Sequence, residues 1–316
     1  MNSPLVSVIT AAYRTYPQQL RAALESALRQ SYENLEITVS DDSPDSSLET
    51  VVDALGDKRL RYRRNEPRLG VADNHWKSIR EARGELLVIL NHDDVLEATF
   101  IEELLRPLQR DADMALAFCD HWIIDTAGNR LTTLTEATSE RDGRRGLAAG
   151  PHHPFEHLLV RQSIQLAVAA MFRRACVPHR LPSDAGPAYD LWLTYLLCRS
   201  GYGAWYVPER LSSWRHHSSN LTSAANIDWL SGAAHCWADV ARYFTDASII
   251  AAARRKEALA HRACARWYYQ RRRNIEARAH ARRSLRADCN WKAAALYGAA
   301  CLPLSFGRAV PQPGSD

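Results

Sequence analysis

The chain has 316 residues, 46% of them hydrophobic and 24% charged, with a net charge of +4. That is ordinary for a soluble globular protein and long enough for one large domain with an appendage or for two modest ones. No run of about 18 apolar residues is present, which excludes a membrane-spanning helix, and Met1-Asn2-Ser3-Pro4 lacks the basic and apolar regions of a secretory signal.

The seven cysteines are scattered without a Cys-x-x-Cys pair, so neither a disulfide framework nor a zinc knuckle is indicated, and a reducing cytosol is expected. Charge is uneven. From Ala251 to Asp316 there are 14 Lys/Arg against 4 Asp/Glu, which leaves 26 of the 40 basic and 32 of the 36 acidic residues to the first 250. Two functional regions are therefore expected, with the basic tail facing something anionic.

The first 120 residues alternate short apolar runs with amphipathic stretches. Strands are predicted over Leu5–Thr10, Leu35–Ser40, Leu60–Arg64 and Leu86–Leu90. Helices are predicted over Gln18–Gln30, Ser47–Leu55, Val71–Arg83, closed by Gly84, and Ala98–Gln109. This rhythm implies βαβ units and a mostly parallel sheet. Beyond it, Ala115–Cys119 reads as a strand, Asp125–Asn129 as a hairpin turn and Thr132–Pro154 as a mobile polar loop, with His152-His153 in it as lid residues or simply solvated. Leu166–Phe172 reads as a strand and Tyr189–Arg199 as a helix. Ala204–Val207 and Leu211–Arg215 read as two short strands, and nearly everything from Ala224 onward as helix.

Three strand exits carry candidate chemistry: Thr10-Ala11-Ala12-Tyr13-Arg14, Asp41-Asp42-Ser43 and Asn91-His92-Asp93-Asp94. In an open α/β sheet such exits line one crevice. Adjacent carboxylates repel and need a cation or a ring of donors to remain ionised. One reading of Asp93-Asp94 is therefore a divalent metal bridging to a diphosphate, since hard oxygen ligands suit Mg²⁺ or Mn²⁺. The other is a helix start, with Asp94 as cap. Asp42 suits an N3–H of uracil or thymine and Tyr13 suits stacking on the base, whereas Asp41 reads as an Asx-turn residue. Neither a Gly-x-Gly-x-x-Gly fingerprint nor a Walker A loop is present.

Taken in order, six segments resemble the inverting family 2 glycosyltransferases with the GT-A fold. These are Val6–Tyr13; Ser26-Ala27-Leu28-Arg29-Gln30-Ser31-Tyr32; Ser40-Asp41-Asp42-Ser43; Gly84-Glu85 followed by Asp93-Asp94; Tyr189-Asp190-Leu191-Trp192-Leu193; and Trp214-Arg215-His216-His217 with Asn220 and Ser223. The resemblance covers roughly residues 4 to 223. It implies an α/β GT-A domain over 1–223, with a nucleotide-binding half over 1–120 and an acceptor and catalytic half over 121–223, followed by a basic helical tail over 224–316.

The resemblance also implies roles. Asp190 would be the catalytic base. Ala11, Tyr13, Asp42, Asp93 and Arg215 would hold the nucleotide-sugar, and Asp94 and His217 would hold Mn²⁺ or Mg²⁺. The implied activity is a metal-dependent hexosyl transfer from a UDP- or dTDP-sugar to a glycan or lipid-linked acceptor in bacterial polysaccharide or lipopolysaccharide synthesis, at the inner face of the cytoplasmic membrane. Two positions depart from the pattern: Asn91 stands where a further Asp is usual, and Asp73 where an arginine often precedes Asn74, with Arg68 or Lys77 as substitutes. These departures keep open a catalytically inactive nucleotide- or membrane-binding scaffold. A nucleotidyltransferase is disfavoured because no Gly-rich basic loop follows the first strand. The basic tail is expected to be a solvated face or a peripheral contact with an anionic membrane. It carries no nucleic-acid motif, and no nucleic-acid partner is expected.

Overall fold

The computed structural model describes residues 3–217 and 226–301, so Asn220, Ser223 and Ala224 of the sequence reading lie outside the described residues. The chain divides into two compact units, Met1–Ser223 and Ala224–Asp316.

In the first unit the elements run in chain order as β1 (Val6–Ala12), α1 (Pro17–Leu28), β2 (Leu35–Asp41), α2 (Ser47–Asp53), β3 (Leu60–Arg64), α3 (Val71–Glu81), β4 (Leu86–Ile89), β5 (Val95–Leu96), α4 (Phe100–Arg110), β6 (Met114–Ile124), α5 (Thr132–Arg141), β7 (Gly150–His152), α6 (Glu156–Arg161), α7 (Leu166–Ala169), β8 (Ala170–Arg173), α8 (Tyr189–Cys198) and β9 (Gly203–Arg215). They build one sheet in the order β3-β2-β1-β4-β8-β6-β9-β5, with β7 on β9. Strands β1 to β4, β6 and β9 run one way, and β5, β7 and β8 oppose them. The sheet is thus mostly parallel and flanked by helices, as the sequence rhythm implied. Every residue of β1 and β4 is buried, which is why β4 reads as an unbroken apolar run and β1 interrupts its apolar residues only with the small Ser7 and Thr10.

Several sequence motifs serve to lock elements together. Ser26 Oγ accepts the N–H of Leu96 at 3.1 Å, and the Gln30 side chain donates to the Glu97 carbonyl (2.8 Å) while accepting from the Ile101 N–H (3.0 Å). The end of α1 therefore fastens the segment that follows Asp93-Asp94. At the opposite sheet edge, Glu36 accepts from Ser7 Oγ (2.6 Å) and from the Arg83 main chain and guanidinium (2.7 Å each).

Five expectations are corrected. Gly84 does not close α3 as a left-handed cap, since α3 already ends on Ala82 in extended backbone. A side chain at Gly84 would meet Ser7 Oγ, Ser7 N and Leu5 O at 2.6–2.8 Å, so its glycine serves a close chain crossing. The mobile loop expected over Thr132–Pro154 is α5, a turn that buries Asp142 and Arg144, and β7. Its inward face is Thr135, Thr138 and Ser139 rather than aliphatic, so no hydrophobic period announces it. Leu166–Phe172 is a helical turn followed by β8, not one strand. The two strands over 204–215 are one, β9, whose pairing with β6 skips Pro208 and Glu209 between Val207↔Cys119 and Arg210↔Asp120; Pro208 has no N–H to give the ladder. The Ala115–Cys119 strand extends over Met114–Ile124.

In the second unit, α9 (Ile227–Tyr243), α10 (Ala247–Gln270), α11 (Asn274–Ala287) and α12 (Trp291–Cys301) account for nearly all described residues. No described helix is long and apolar enough to cross a membrane, and all seven cysteines are free thiols.

Candidate functional site

The exits of β1, β2 and β4, together with the start of α8 and the end of β9, bring the candidate residues to one edge of the sheet. Ala11 is buried in β1, in register with Ser40. Tyr13, just past β1, is 36% exposed and carries the Arg68 guanidinium 3.9 Å above its ring. The chain turns there with Arg14 in left-handed backbone (φ 48°), its N–H held by Ser43 Oγ at 2.9 Å.

Asp42 is buried. Its carboxylate accepts from Asn65 Nδ2 (2.9 Å), the Leu69 N–H (3.3 Å) and the Gly70 N–H (2.8 Å), so it anchors the loop entering α3 and keeps spare lone pairs. Asp41 caps its own turn through the Ser43 N–H (2.8 Å) and accepts from the Tyr62 hydroxyl (2.9 Å). Of the two suggested stand-ins for the missing arginine, Lys77 reaches Asn65 Oδ1 (3.2 Å) and Arg68 lies over Tyr13.

Asp93 and Asp94 lie between β4 and β5. Helix α4 begins only at Phe100 and has no side-chain cap, so the helix-cap reading of Asp94 fails. Instead the Asp94 carboxyl accepts from the Arg215 N–H (2.8 Å) and from Asn91 Nδ2 (2.9 Å). Asn91 thus supplies a neutral donor where a second acid would have added repulsion. Burial first, and then the charge of Asp93, hold the Asp94 carboxyl well above the usual carboxylate range, against the donors Arg215 and Asn91. Asp93 Oδ2 lies 2.8 Å from His217 Nε2. The Arg215 guanidinium donates to the carbonyls of Asp93 (2.7 Å), Asp125 (2.9 Å) and Thr126 (3.1 Å), joining the Asp93-Asp94 turn to the hairpin after β6.

Asp190 opens α8 and accepts the Leu191 N–H at 2.8 Å. Burial pushes its carboxyl up to about 6. The preceding Tyr189 is buried, and burial first, then the charges of Asp190, Asp94 and Asp93, raise its hydroxyl well above the ordinary value. Tyr189 in turn stacks on His75 of α3 with ring centroids 4.1 Å apart, its hydroxyl 3.0 Å from Nε2. His75 Nδ1 lies 2.7 Å from the Val71 carbonyl, which assigns the proton to Nδ1 and leaves Nε2 to accept from the phenol. Burial drives His75 down to about 4, so it is neutral at pH 7. His92 completes the wall, with Nδ1 2.7 Å from Thr15 Oγ1, and burial holds it below the usual histidine range.

Sequence reasoning named neither His75 nor Asn65, nor the contact of Thr15 with His92. A signal for His75 was present, because Val71, His75, Ser78 and Ile79 share one helical face. Among the described residues no group of three or more His, Cys, Asp or Glu could hold a metal by itself.

The comparisons with known proteins bear on the family and the fold. The model of Glycosyl transferase family 2 matches residues 7–164, half of the chain. An uncharacterized glycosyltransferase of Rickettsia typhi is 28% identical over 224 residues, spanning 71% of this chain and 67% of that protein. Among solved structures, S. aureus TarS 1-349 superimposes with a TM-score of 0.60 at 13% identity, covering 92% of this chain and 88% of that one; TarS 1-349 has also been solved with UDP-GlcNAc. The mannosyltransferase PcManGT of Pyrobaculum calidifontis, solved with GDP-Man and Mn²⁺, gives a TM-score of 0.57 at 18% identity, covering 94% of this chain and 79% of that one. These neighbours share the GT-A fold, and the chain belongs to glycosyl transferase family 2.

Proposed function

We propose that the protein transfers a sugar from a UDP- or dTDP-sugar to a hydroxyl of a glycan or lipid-linked acceptor, inverting the anomeric centre, and that it does so at the cytoplasmic face of the membrane. The observation that carries this reading is Asp190, a carboxylate that burial raises to about 6, beside Tyr189, on which the charges of Asp94 and Asp93 also act. A base of that strength takes a proton efficiently near neutral pH. Asp190 accepts the acceptor's hydroxyl proton as that oxygen bonds to the anomeric carbon from the face opposite the leaving group. The bond from that carbon to the phosphate oxygen breaks in the same displacement, and the nucleoside diphosphate departs. No covalent intermediate on a second carboxylate is required.

Tyr13 stacks on the base and Asp42 accepts its N3–H, with Ala11 forming the floor. Asp93 meets the ribose or the donor sugar. Arg215 contributes at the diphosphate end, where its guanidinium holds the Asp93-Asp94 turn. The donor set of Asp94 and His217, one hard oxygen and one imidazole nitrogen, fits Mn²⁺ or Mg²⁺ provided the diphosphate supplies further oxygens. The buried, charge-crowded carboxyl of Asp94 is in keeping with that, because a cation would relieve both burial and the repulsion from Asp93. When bound, the ion supplies positive charge for the leaving diphosphate.

The test is release of UDP or dTDP from a panel of their sugars, with acceptor, by wild type and by Asp190→Asn. Release that falls by roughly 10² to 10⁴ in the variant, the usual worth of a general base, supports the reading. A second reading, a nucleotide-binding scaffold without turnover, is favoured by Asn91 in place of an acid and predicts UDP binding with no release in either protein.

A further inference from the structure

The arginine runs that stand out in the sequence of the second unit are largely committed to it. Arg254 pairs with Glu257 (2.9 Å), Arg273 with Glu276 (2.6 Å), Arg271 lies 3.8 Å over Trp267, and Arg282 donates to the Tyr297 hydroxyl (2.6 Å). Among the cations with no ion pair in the described residues are Arg262, Arg266 and Lys292, the last with its ammonium 5.6 Å from the Trp291 ring.

These three share a groove of about 410 Å³ between α10 and α12. On α10 it is lined by Leu259, Arg262, Ala263 and Arg266, and on α12 by Trp291, Lys292, Ala295 and Leu296. The α10 set is spaced i, i+3, i+4, i+7, a single stripe of the helix. The inward stripe of the same helix is Ala253, Glu257, Ala260 and Cys264, and α12 turns Ala293 and Ala300 inward. The groove is therefore an outward face of two helices that already have an inner one. On it Leu259 is 51% exposed and Trp291 75% exposed, an arrangement that leaves an indole and a leucine in water beside three positive charges without a carboxylate partner.

We propose that this α10–α12 face docks on an anionic phospholipid bilayer. Charge complementarity selects the occupant. An apolar protein partner would strand the cations, whereas the headgroup region accepts both halves of the surface. An indole suits the boundary between chains and headgroups, long basic side chains lay their stems on apolar surface while the charges reach phosphate, and an amphipathic face of this kind lies in the interface without spanning it. Binding is read without donor or acceptor, so it stands or falls separately from the transferase reading.

The experiment is co-sedimentation of the full chain with vesicles of phosphatidylcholine mixed with phosphatidylglycerol, and with vesicles of phosphatidylcholine alone. Wild type is expected to sediment with the anionic vesicles only and to be released by high salt. The double variant Arg262→Glu/Arg266→Glu should lose at least about 25-fold in partitioning, since each basic residue near an anionic surface is worth about fivefold and each glutamate adds repulsion. Trp291→Ser should lose about tenfold. Arg61→Glu/Arg80→Glu makes the same change in net charge on the first unit and should stay within about threefold of wild type; helical circular dichroism confirms that each variant folds. Equal losses in the two double variants would overturn the proposal, as would absence of binding to either vesicle. So would a wild-type dimer in sedimentation equilibrium that Trp291→Ser dissociates, because the face would then be covered by a second copy.

Discussion

Asp190 is held where its charge is costly, and that has a consequence in each direction of pH. Its folded-state pKa of about 6 lies above the ordinary carboxylate value, so folding disfavours the ionised form. The penalty is absent below about pH 4, where the group is protonated folded or unfolded, grows between about 4 and 6, and is complete above that. Asp190→Asn should therefore raise stability at pH 7 by on the order of 1–3 kcal/mol, with no gain at pH 3.5, as thermal unfolding at the two pH values would show, while the variant loses transfer. The wild-type kcat/KM should rise with pH through an apparent pKa near 6 and reach a plateau. Tyr189→Phe keeps the stack on His75 but leaves the buried Nε2 without its donor. It should cost about 1–2 kcal/mol of unfolding free energy and displace that acid limb.

At this scale the candidate residues were legible. Asp42, Asp93, Asp94, Asp190 and His217 announced themselves by their places after apolar runs or within short motifs. His75 did not, because a histidine on the buried face of a helix has the same signature whether it packs or positions another residue.

Among elements, the crossing of the β4 entrance over β1 rests on Gly84. Gly84→Ala puts a methyl against backbone atoms of Leu5 and Ser7, the latter in a strand buried along its whole length. A loss of more than about 3 kcal/mol is expected in urea unfolding. The pairing of β6 with β9 rests on a different device. Arg144 is fully buried, with Nε 2.8 Å from Asp120 and Nη1 3.3 Å from Asp142, while Asp120 also accepts from Ser139 (2.6 Å) and Arg210 (3.1 Å). Arg144→Met removes one cation and leaves two buried carboxylates short of a partner. It should cost about 3–5 kcal/mol, measured in the same way.

The elements before residue 120 were readable because each buries aliphatic side chains at helical or strand spacing. Those between 132 and 173 were not, because α5 packs a Thr and Ser face onto this polar network and because the apolar run from Leu166 serves a helical turn before it serves a strand. Composition there points to solvent, whereas the buried arginine and its acids hold the segment inside.

For the whole molecule, the family match and the GT-A sheet agree with the reading of βαβ units from the sequence, and the charge asymmetry belongs to a separate helical unit. What the linear charge pattern did not reveal is which of those cations share a face with exposed apolar side chains; helix packing decides that, and between α10 and α12 it sets Arg262, Arg266 and Lys292 beside Leu259 and Trp291. The central claim is that the strand exits of the first unit form a metal-assisted nucleoside diphosphate site. Calorimetric titration of UDP into the protein with and without Mn²⁺, repeated on Asp94→Ala, tests it most directly. The account predicts binding in the micromolar range that requires both Mn²⁺ and Asp94. Binding indifferent to the metal and to Asp94, or no binding at all, would contradict it.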